Sequence, residues 1–88
     1  KNNLNFREEV IMKTVSISLN SIDKVKAFVN DISKYDFDFE LVSGRYVIDA
    51  KSIMGIFSLD LSKPIDLNIH ADDNVDEIMA MLKPYLCD

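Results

Sequence analysis

The stretch AKSIMGIFSL, residues 50–59, is the most distinctive segment of this 88-residue chain. Ser52 is a residue type that caps helices, and it stands directly before a short apolar run, so the segment predicts a short helix that begins after Ser52. The large apolar residues of this helix are Ile53, Met54, Ile56 and Phe57. So short a helix cannot turn four such side chains inward. We therefore expect two of them in the core and two on the surface, where exposed apolar groups often mark partner sites.

The segments before this stretch alternate between strand and helix patterns. Residues 13–19 alternate apolar and polar side chains, which predicts a strand with one buried face. A helix is expected after the capping residues Asn20 and Ser21. Its apolar face comprises Ile22, Val25, Phe28, Val29, Ile32 and Tyr35. Residues 37–41 and 46–50 predict two strands joined by a tight turn at Ser43-Gly44.

The segments after this stretch predict one more strand and one more helix. Pro64 opens a strand in which Ile65, Leu67 and Ile69 alternate with Asp66, Asn68 and His70. Asn74 and Glu77 match a capping box, and Pro84 predicts that the last helix kinks or breaks at Lys83. The order β-α-β-β-α-β-α predicts an α+β fold, an open-faced two-layer sandwich. In it, helices cover one side of a four-stranded antiparallel sheet.

The composition favours a globular protein whose partners are other proteins. Hydrophobic residues make up 48% of the chain and charged residues 28%, and the net charge is −5. Because Lys and Arg are scattered, no cationic face for nucleic acid is expected. The sequence contains no apolar run long enough to span a bilayer and no signal-peptide pattern, so no membrane association is expected. Cys87 is the single cysteine, which excludes an internal disulfide and favours the cytoplasm.

The first residues differ in character from the rest of the chain. The segment KNNLNFREEVI is polar and rich in asparagine, and it ends immediately before Met12. Residues 7–10, REEV, can be encoded by a purine-rich sequence of the kind that precedes bacterial start codons. We therefore interpret residues 1–12 as a non-native or poorly ordered leader that ends at Met12, the expected natural start. Residues 13–86 then form the single domain. A short native tail is the alternative.

Residues 50–59 closely resemble the HPr family of the bacterial sugar phosphotransferase system, in which a Lys-Ser-Ile-Met-Gly segment opens the second helix. Residues 33–36, SKYD, resemble the end of the family's first helix, and Asp76-Glu77 resembles the acidic opening of its last helix. The likeness covers residues 13–86, and the predicted element order agrees with it. The resemblance implies an HPr-like open-faced sandwich and a role related to phosphocarrier proteins and sugar transport.

The catalytic turn of that family is not matched here. Phosphocarriers have a Gly-Ile-His-Ala-Arg-Pro-like turn between the first strand and the first helix, where an imidazole accepts a phosphoryl group. In this chain residues 20–24, NSIDK, make a shorter connection that contains neither histidine nor arginine. Asn20 and Ser21 cannot replace an imidazole. We therefore expect a noncatalytic, regulatory or protein-binding relative of the phosphocarriers. The alternative is a phosphocarrier protein that accepts its phosphoryl group at a noncanonical residue, Ser52 or His70.

The resemblance also makes Ser52 the candidate site of regulatory phosphorylation. In Gram-positive relatives the matching serine is phosphorylated by an HPr kinase, and the modified protein then binds a transcriptional regulator. A simple capping role is the other interpretation of Ser52. The residues that match the family's docking face are Lys51, Ile53, Met54, Ile56 and Phe57. The expected partners are an HPr kinase, a transcriptional regulator or phosphotransferase components. Asp60 and Pro64 stand where the family usually has glycines, so the rim of this face is altered.

His70 is the single histidine of the chain. A lone histidine on a strand is more often a solvated surface residue than a ligand, and Asp72 and Asp73 beside it do not define a site for any particular metal. The sequence contains no Gly-rich phosphate loop, nucleophile–base pair or metal-ligand spacing. An enzymatic activity, a cofactor and a metal site are therefore not expected.

Overall fold

The structure, a computed structural model, describes residues 11–87. Its strands are Ile11–Ile17 (β1), Asp38–Ser43 (β2), Tyr46–Asp49 (β3) and Ile65–Ala71 (β4). Its helices are Ile22–Ile32 (α1), Ile53–Phe57 (α2) and Val75–Leu82 (α3), and a one-turn 3-10 helix at Lys83–Tyr85 follows α3. The predicted order β-α-β-β-α-β-α is confirmed. The leader prediction concerns residues 1–10, which lie outside the described residues, as well as Ile11 and Met12, which belong to β1.

The four strands form one antiparallel sheet in the order β1-β4-β2-β3. On the central strand β4, Leu67 lies opposite Val15 of β1 and opposite Leu41 of β2. We call the side of the sheet that carries these side chains the helix face, because the helices pack there, and the opposite side the open face. This architecture confirms the predicted α+β open-faced sandwich.

One apolar core lies between the helix face and the helices. Its fully or almost fully buried residues are Ile17, Leu19, Val25, Phe28, Ile32, Phe39, Leu41, Ala50, Ile56, Ile65, Leu67, Ile69, Ala71, Ile78, Leu82 and Tyr85. Tyr85 is the one member with a polar group, a hydroxyl at the ring's tip. Burial of apolar surface therefore holds the two layers together, at about 25 cal/mol per Å² removed from water.

The first helix begins as the sequence predicts, but its apolar face is shorter than predicted. Ser21 is the N-cap: its extended backbone lets Oγ accept a hydrogen bond of 3.1 Å from the Lys24 N–H. Val25, Phe28 and Ile32 are buried. The assignment of Ile22 to the buried face is wrong, because this side chain is 62% exposed. Within the first turn of α1, Ile22 therefore faces solvent, whereas Val25 is buried.

The predicted β2–β3 hairpin forms, but its turn lies one residue later than the predicted Ser43-Gly44 turn. Ser43 lies opposite Tyr46, so the two-residue turn consists of Gly44 and Arg45. Gly44 has φ +61°, a left-handed conformation that side-chain-bearing residues rarely adopt. A Cβ built at Gly44 has open space around it, so the requirement for glycine here is one of backbone conformation rather than packing.

The last helix differs from the prediction at its start and agrees with it at its end. The expected capping box of Asn74 and Glu77 does not form, because Asn74 is left-handed (φ 59°) and its side chain makes no capping bond. A box needs an extended cap residue to aim its side chain at the helix N–H groups. Glu77 accepts instead from the Tyr35 hydroxyl at 3.1 Å. The predicted break near Pro84 is confirmed, since α3 ends at Leu82 and continues only as the 3-10 turn.

The residues after this 3-10 turn close part of the outer edge of β1. The Ser18 N–H donates to the Tyr85 carbonyl at 2.8 Å, and the Cys87 N–H donates to the Ser16 carbonyl at 2.9 Å. These bonds pair one stretch of the outer edge of β1, which has no other partner within residues 11–87. None of the helices in residues 11–87 has the length and apolarity required to cross a bilayer.

Candidate functional site

The connection between β1 and α1 is the first part of the candidate site, because it corresponds to the catalytic turn of the resembled family. Leu19 is fully buried, so its side chain belongs to the core. The Ser21 hydroxyl oxygen is engaged as the helix cap. Asn20 and Asp23 are exposed. The connection offers hydroxyl, amide and carboxylate groups but no imidazole, which is the group that accepts the phosphoryl group in the resembled family.

Ser52 and the backbone around it form the second part of the site, at the start of α2. Ser52 is extended (φ −94°, ψ 104°), and its Oγ accepts a hydrogen bond of 3.1 Å from the Gly55 N–H. The turn before it is closed by the Lys51 N–H, which donates to Asp49 Oδ1 at 2.9 Å, and by the Ser52 N–H, which donates to the Asp49 carbonyl at 3.0 Å. The predicted capping role of Ser52 is therefore present, on an exposed residue.

Gly55 allows α2 to lie close against the hairpin. A Cβ at this position would stand 3.2 Å from Ile48 Cδ1 and 3.2 Å from Ser52 Oγ. Both distances are tighter than ordinary van der Waals contact, so a side chain here would push against the strand and against the capping serine. The glycine thus fixes how near the start of α2 approaches β3.

Lys51 makes contacts within the protein that the sequence did not predict, and its expected role as a partner contact stays a prediction. Its ammonium donates to the Tyr35 carbonyl at 2.6 Å and lies 5.6 Å from the centre of the Phe39 ring. The lysine thereby ties the start of α2 to the segment that follows α1. This bond uses one of the three N–H donors of the ammonium.

The four large apolar residues of α2 divide as expected into two that pack inward and two that are exposed. Ile56 is fully buried, and Ile53 is half-buried against the core. Met54 is 77% exposed and Phe57 is 43% exposed. The assignment of Ile56 to the partner surface is therefore wrong, because the phase of this short helix points its side chain at the sheet. The exposed apolar surface of α2 consists of Met54 and Phe57, with Ile53 at its border.

The rim of this surface is shaped by Asp60. Its Oδ1 accepts hydrogen bonds from the Ser62 hydroxyl at 2.6 Å and from the Ser62 N–H at 3.1 Å. These two bonds, the hydroxyl bond foremost, hold the pKa of the Asp60 carboxyl below its usual range. Where the resembled family usually has a glycine, this chain therefore has a charged residue that closes a tight local turn.

His70 lies on the open face, away from both helix starts. It stands opposite Asp38 of β2 and Met12 of β1. Its Nε2 is 3.1 Å from Glu40 Oε1. Asp72 and Asp73 are exposed beyond the end of the strand. Within residues 11–87, no three His, Cys, Asp or Glu side chains converge in a way that could hold a metal ion.

Some contacts around the site had no signal in the sequence. The bonds from Lys51 to Tyr35 and from Tyr35 to Glu77 join residues that are 16 and 42 positions apart. Local periodicity carries no information about such pairs, because they depend on how the helices are placed on the sheet.

The element order, the strand order and the serine-capped second helix define an HPr-like open-faced sandwich. No protein-family model matches the chain. The structure is similar to that of HPr-C-His from Thermoanaerobacter tengcongensis, with 28% identity, a TM-score of 0.66, and coverage of 80% of this chain and 86% of that one. It shares its fold with the phosphocarrier protein HPr from Bacillus anthracis str. Ames, with 24% identity, a TM-score of 0.61, and coverage of 82% and 92%. The resemblance to HPr that the sequence indicated is thereby confirmed.

Proposed function

We propose that this chain is a noncatalytic regulatory relative of the HPr phosphocarriers, which acts in the cytoplasm by binding other proteins through α2. The exposed apolar pair Met54 and Phe57 makes the contact, and phosphorylation of Ser52 controls it. The proposed partners are an HPr kinase, a transcriptional regulator and phosphotransferase components.

The observation that carries this proposal is the chemistry of the β1–α1 connection. Leu19 is committed to the core and the Ser21 oxygen to the helix cap, and the connection contains no imidazole. The single histidine, His70, is on the other side of the sheet and bonds Glu40. A phosphoryl group placed at the start of α1 would therefore find no acceptor of the usual kind.

The surface of α2 supports a binding role. Met54 and Phe57 leave water only if a partner covers them, and a methionine adapts its shape to different partners. These two residues lie on the helix that Ser52 caps, so a modification of Ser52 changes the charge beside the apolar surface. The apolar surface and the proposed phosphorylation site then lie on one short helix.

Phosphorylation of Ser52 has a simple electrostatic effect. The Ser52 oxygen attacks the γ-phosphorus of ATP, ADP leaves, and the hydroxyl proton passes to solvent or to a base of the kinase. The product carries roughly −1.5 to −2 charge beside an exposed apolar pair. A partner that reads the modified form therefore needs cationic side chains next to an apolar pocket.

Incubation with phosphoenolpyruvate and Enzyme I tests whether the chain is a carrier. We expect no transfer of label to this chain, while a histidine-containing HPr in the same tube is labelled. Label that survives Ser52→Ala but disappears in His70→Ala would show a phosphohistidine carrier and would overturn the proposal.

Incubation with ATP and an HPr kinase tests the switch. We expect the wild type to be labelled and Ser52→Ala to remain unlabelled. Ser58→Ala is the matched control, since Ser58 is an exposed serine at the other end of the same helix and donates to the Gly55 carbonyl at 2.6 Å. Equal labelling of wild type and Ser52→Ala would place the modification elsewhere.

The docking surface is tested by the affinity of the same kinase for unmodified protein. We expect Phe57→Ala to weaken binding by about fivefold or more, the size of a contact residue that loses over 1 kcal/mol. Val47→Thr is the control, because Val47 is 59% exposed on the open face. Equal affinities for wild type and Phe57→Ala would exclude α2 as the contact.

A further inference from the structure

The open face of the sheet is a second surface with no covering element in the described residues, and its chemistry differs from that of α2. Register and burial place these side chains on it: Met12, Thr14, Ser16, Asp38, Glu40, Val42, Val47, Asp49, Asp66, Asn68 and His70. An antiparallel sheet commonly leaves one face solvated, so exposure alone does not indicate a function. The distribution of charge on this face, in contrast, indicates a function.

All four formally charged groups of the open face are carboxylates: Asp38, Glu40, Asp49 and Asp66. None of the described side chains on this face belongs to a lysine or an arginine, although the chain has 10 basic residues against 15 acidic ones. His70 is the one basic group among them, and it bonds Glu40. The basic residues within residues 11–87 therefore lie elsewhere on the molecule, and all formal charges among the described side chains of the open face are negative.

One pair on this face works against folding. Glu40 of β2 lies directly opposite Asp49 of β3. The next pair along is hydrogen-bonded, since the Ala50 N–H donates to the Phe39 carbonyl at 2.9 Å. Glu40 and Asp49 thus occupy a non-hydrogen-bonded site, where opposed side chains come closest. Like charges directly opposite destabilise a sheet, and a lysine at either position would remove the repulsion.

The same two carboxylates line a groove. A shallow depression of about 630 Å³ is bordered by Asp38, Glu40 and Asp49, by His70, and by the exposed apolar side chain of Val47. Its acidic walls and apolar border match the long side chain of a lysine or arginine, whose methylene stem packs on apolar surface while its charged end meets a carboxylate.

We propose that the open face docks a lysine- or arginine-rich segment of a partner protein, laid across the groove between β2 and β3. Charge complementarity selects this occupant. A nucleic acid or an acidic protein surface would be repelled, and a divalent cation lacks three converging ligands among the described residues. The face is on the opposite side of the sheet from α2, so the proposal is independent of the function proposed for that helix.

The test measures binding of a fluorescein-labelled peptide in which lysine alternates with serine, by fluorescence anisotropy at low salt. A peptide with glutamate in place of lysine is the negative control. The variant Asp38→Asn/Glu40→Gln/Asp66→Asn removes three carboxylates of the open face. The matched variant Asp23→Asn/Asp72→Asn/Asp76→Asn removes three exposed carboxylates elsewhere and has the same net charge.

We expect the open-face variant to lose affinity roughly tenfold and the matched variant to stay within about twofold of the wild type. Far-UV circular dichroism verifies that both variants fold. Asp49→Asn, which keeps an oxygen for the Lys51 N–H, should weaken binding to a smaller extent. Equal losses in the two triple variants would show attraction by net charge alone and would overturn the proposal. The proposal would also be overturned if the wild type did not bind the peptide, or if spermine displaced the peptide at equal charge concentration. It would likewise be overturned if the NMR shifts caused by the peptide mapped to the helices.

Discussion

Replacing Tyr85 by phenylalanine tests how the C-terminal turn is held to the first helix. The Tyr85 ring is 4% exposed and meets Phe28 edge-on, with centroids 5.4 Å apart and an interplanar angle of 77°. Its hydroxyl donates to Asp31 Oδ2 at 2.8 Å. Phenylalanine keeps the ring and removes only this bond. Burial, the bond to Asp31 and the charge of that carboxylate together raise the pKa of Tyr85 to about 12.

This pKa gives the dependence of the effect on pH. An ordinary tyrosine has a pKa near 10, so the folded state binds the Tyr85 proton about two units more tightly than the unfolded chain does, worth about 2–3 kcal/mol. Because the pKa of Tyr85 is higher in the folded state than in the unfolded chain, this stability is complete below pH 10 and is lost as the pH rises towards 12. At neutral pH, phenylalanine removes the hydrogen bond to the charged Asp31, and a hydrogen bond to a charged group stabilises a protein by roughly 1.5–3 kcal/mol.

Urea unfolding followed by circular dichroism measures the difference. At pH 8 we expect Tyr85→Phe to be about 2 kcal/mol less stable than the wild type, and we expect the gap to shrink steadily above pH 10. Tyr35, whose pKa is also raised by burial and by its bond to Glu77, is present in both proteins and affects them alike. Tyr46→Phe, at a ring 70% exposed, should change nothing at pH 8. A gap that stays constant from pH 8 to 11.5 would refute the linkage argument.

Three further substitutions probe local features, each by urea unfolding at neutral pH. Ser21→Ala removes the cap of α1 and should lower the free energy of unfolding by about 1 kcal/mol, whereas Ser21→Asp should retain most of the wild-type stability. Unchanged stability of Ser21→Ala would contradict the capping role. Gly44→Ala forces a Cβ into φ +61° and should cost about 1–2 kcal/mol, with Gly44→Asn clearly milder; equal costs would mean that conformation is not the cause. Asp49→Asn relieves the repulsion with Glu40 and should stabilise by roughly 0.2–1 kcal/mol, so a loss of stability would argue against the repulsion.

The strands and helices could be predicted because their signals are local. The alternation from Ile65 to Ala71 follows from the two faces of a strand, and the Ser52 cap follows from the side-chain chemistry of serine. Pro84 ends α3 because it lacks an N–H and constrains the residue before it. The sequence could not reveal that Asn74 is left-handed, because the same residue types serve both in a capping box and in an αL turn.

The burial pattern of α2 was predicted in outline and differs in its details. The expectation that two of the four large apolar residues of α2 face outward is correct. Which two they are depends on the angle at which the helix rests on the sheet, and Gly55 sets that approach through Ile48. The internal bond of Lys51 likewise depends on the position of Tyr35, which no pattern near residue 51 encodes.

The β1–α1 connection begins the first helix of this HPr-like fold with neither a histidine nor an arginine in residues 20–24. Leu19 fills the core and Ser21 starts α1, so the connection contributes to folding with the residues it retains. The two proposed binding surfaces, on α2 and on the open face, do not include residues of that connection. Met54 and Phe57 project from the helix layer, while Glu40 and Asp49 project from the other side of the sheet, with the core residue Ile56 between the two layers. A partner on α2 and a cationic segment on the open face would therefore neither compete for the same atoms nor depend on a phosphohistidine.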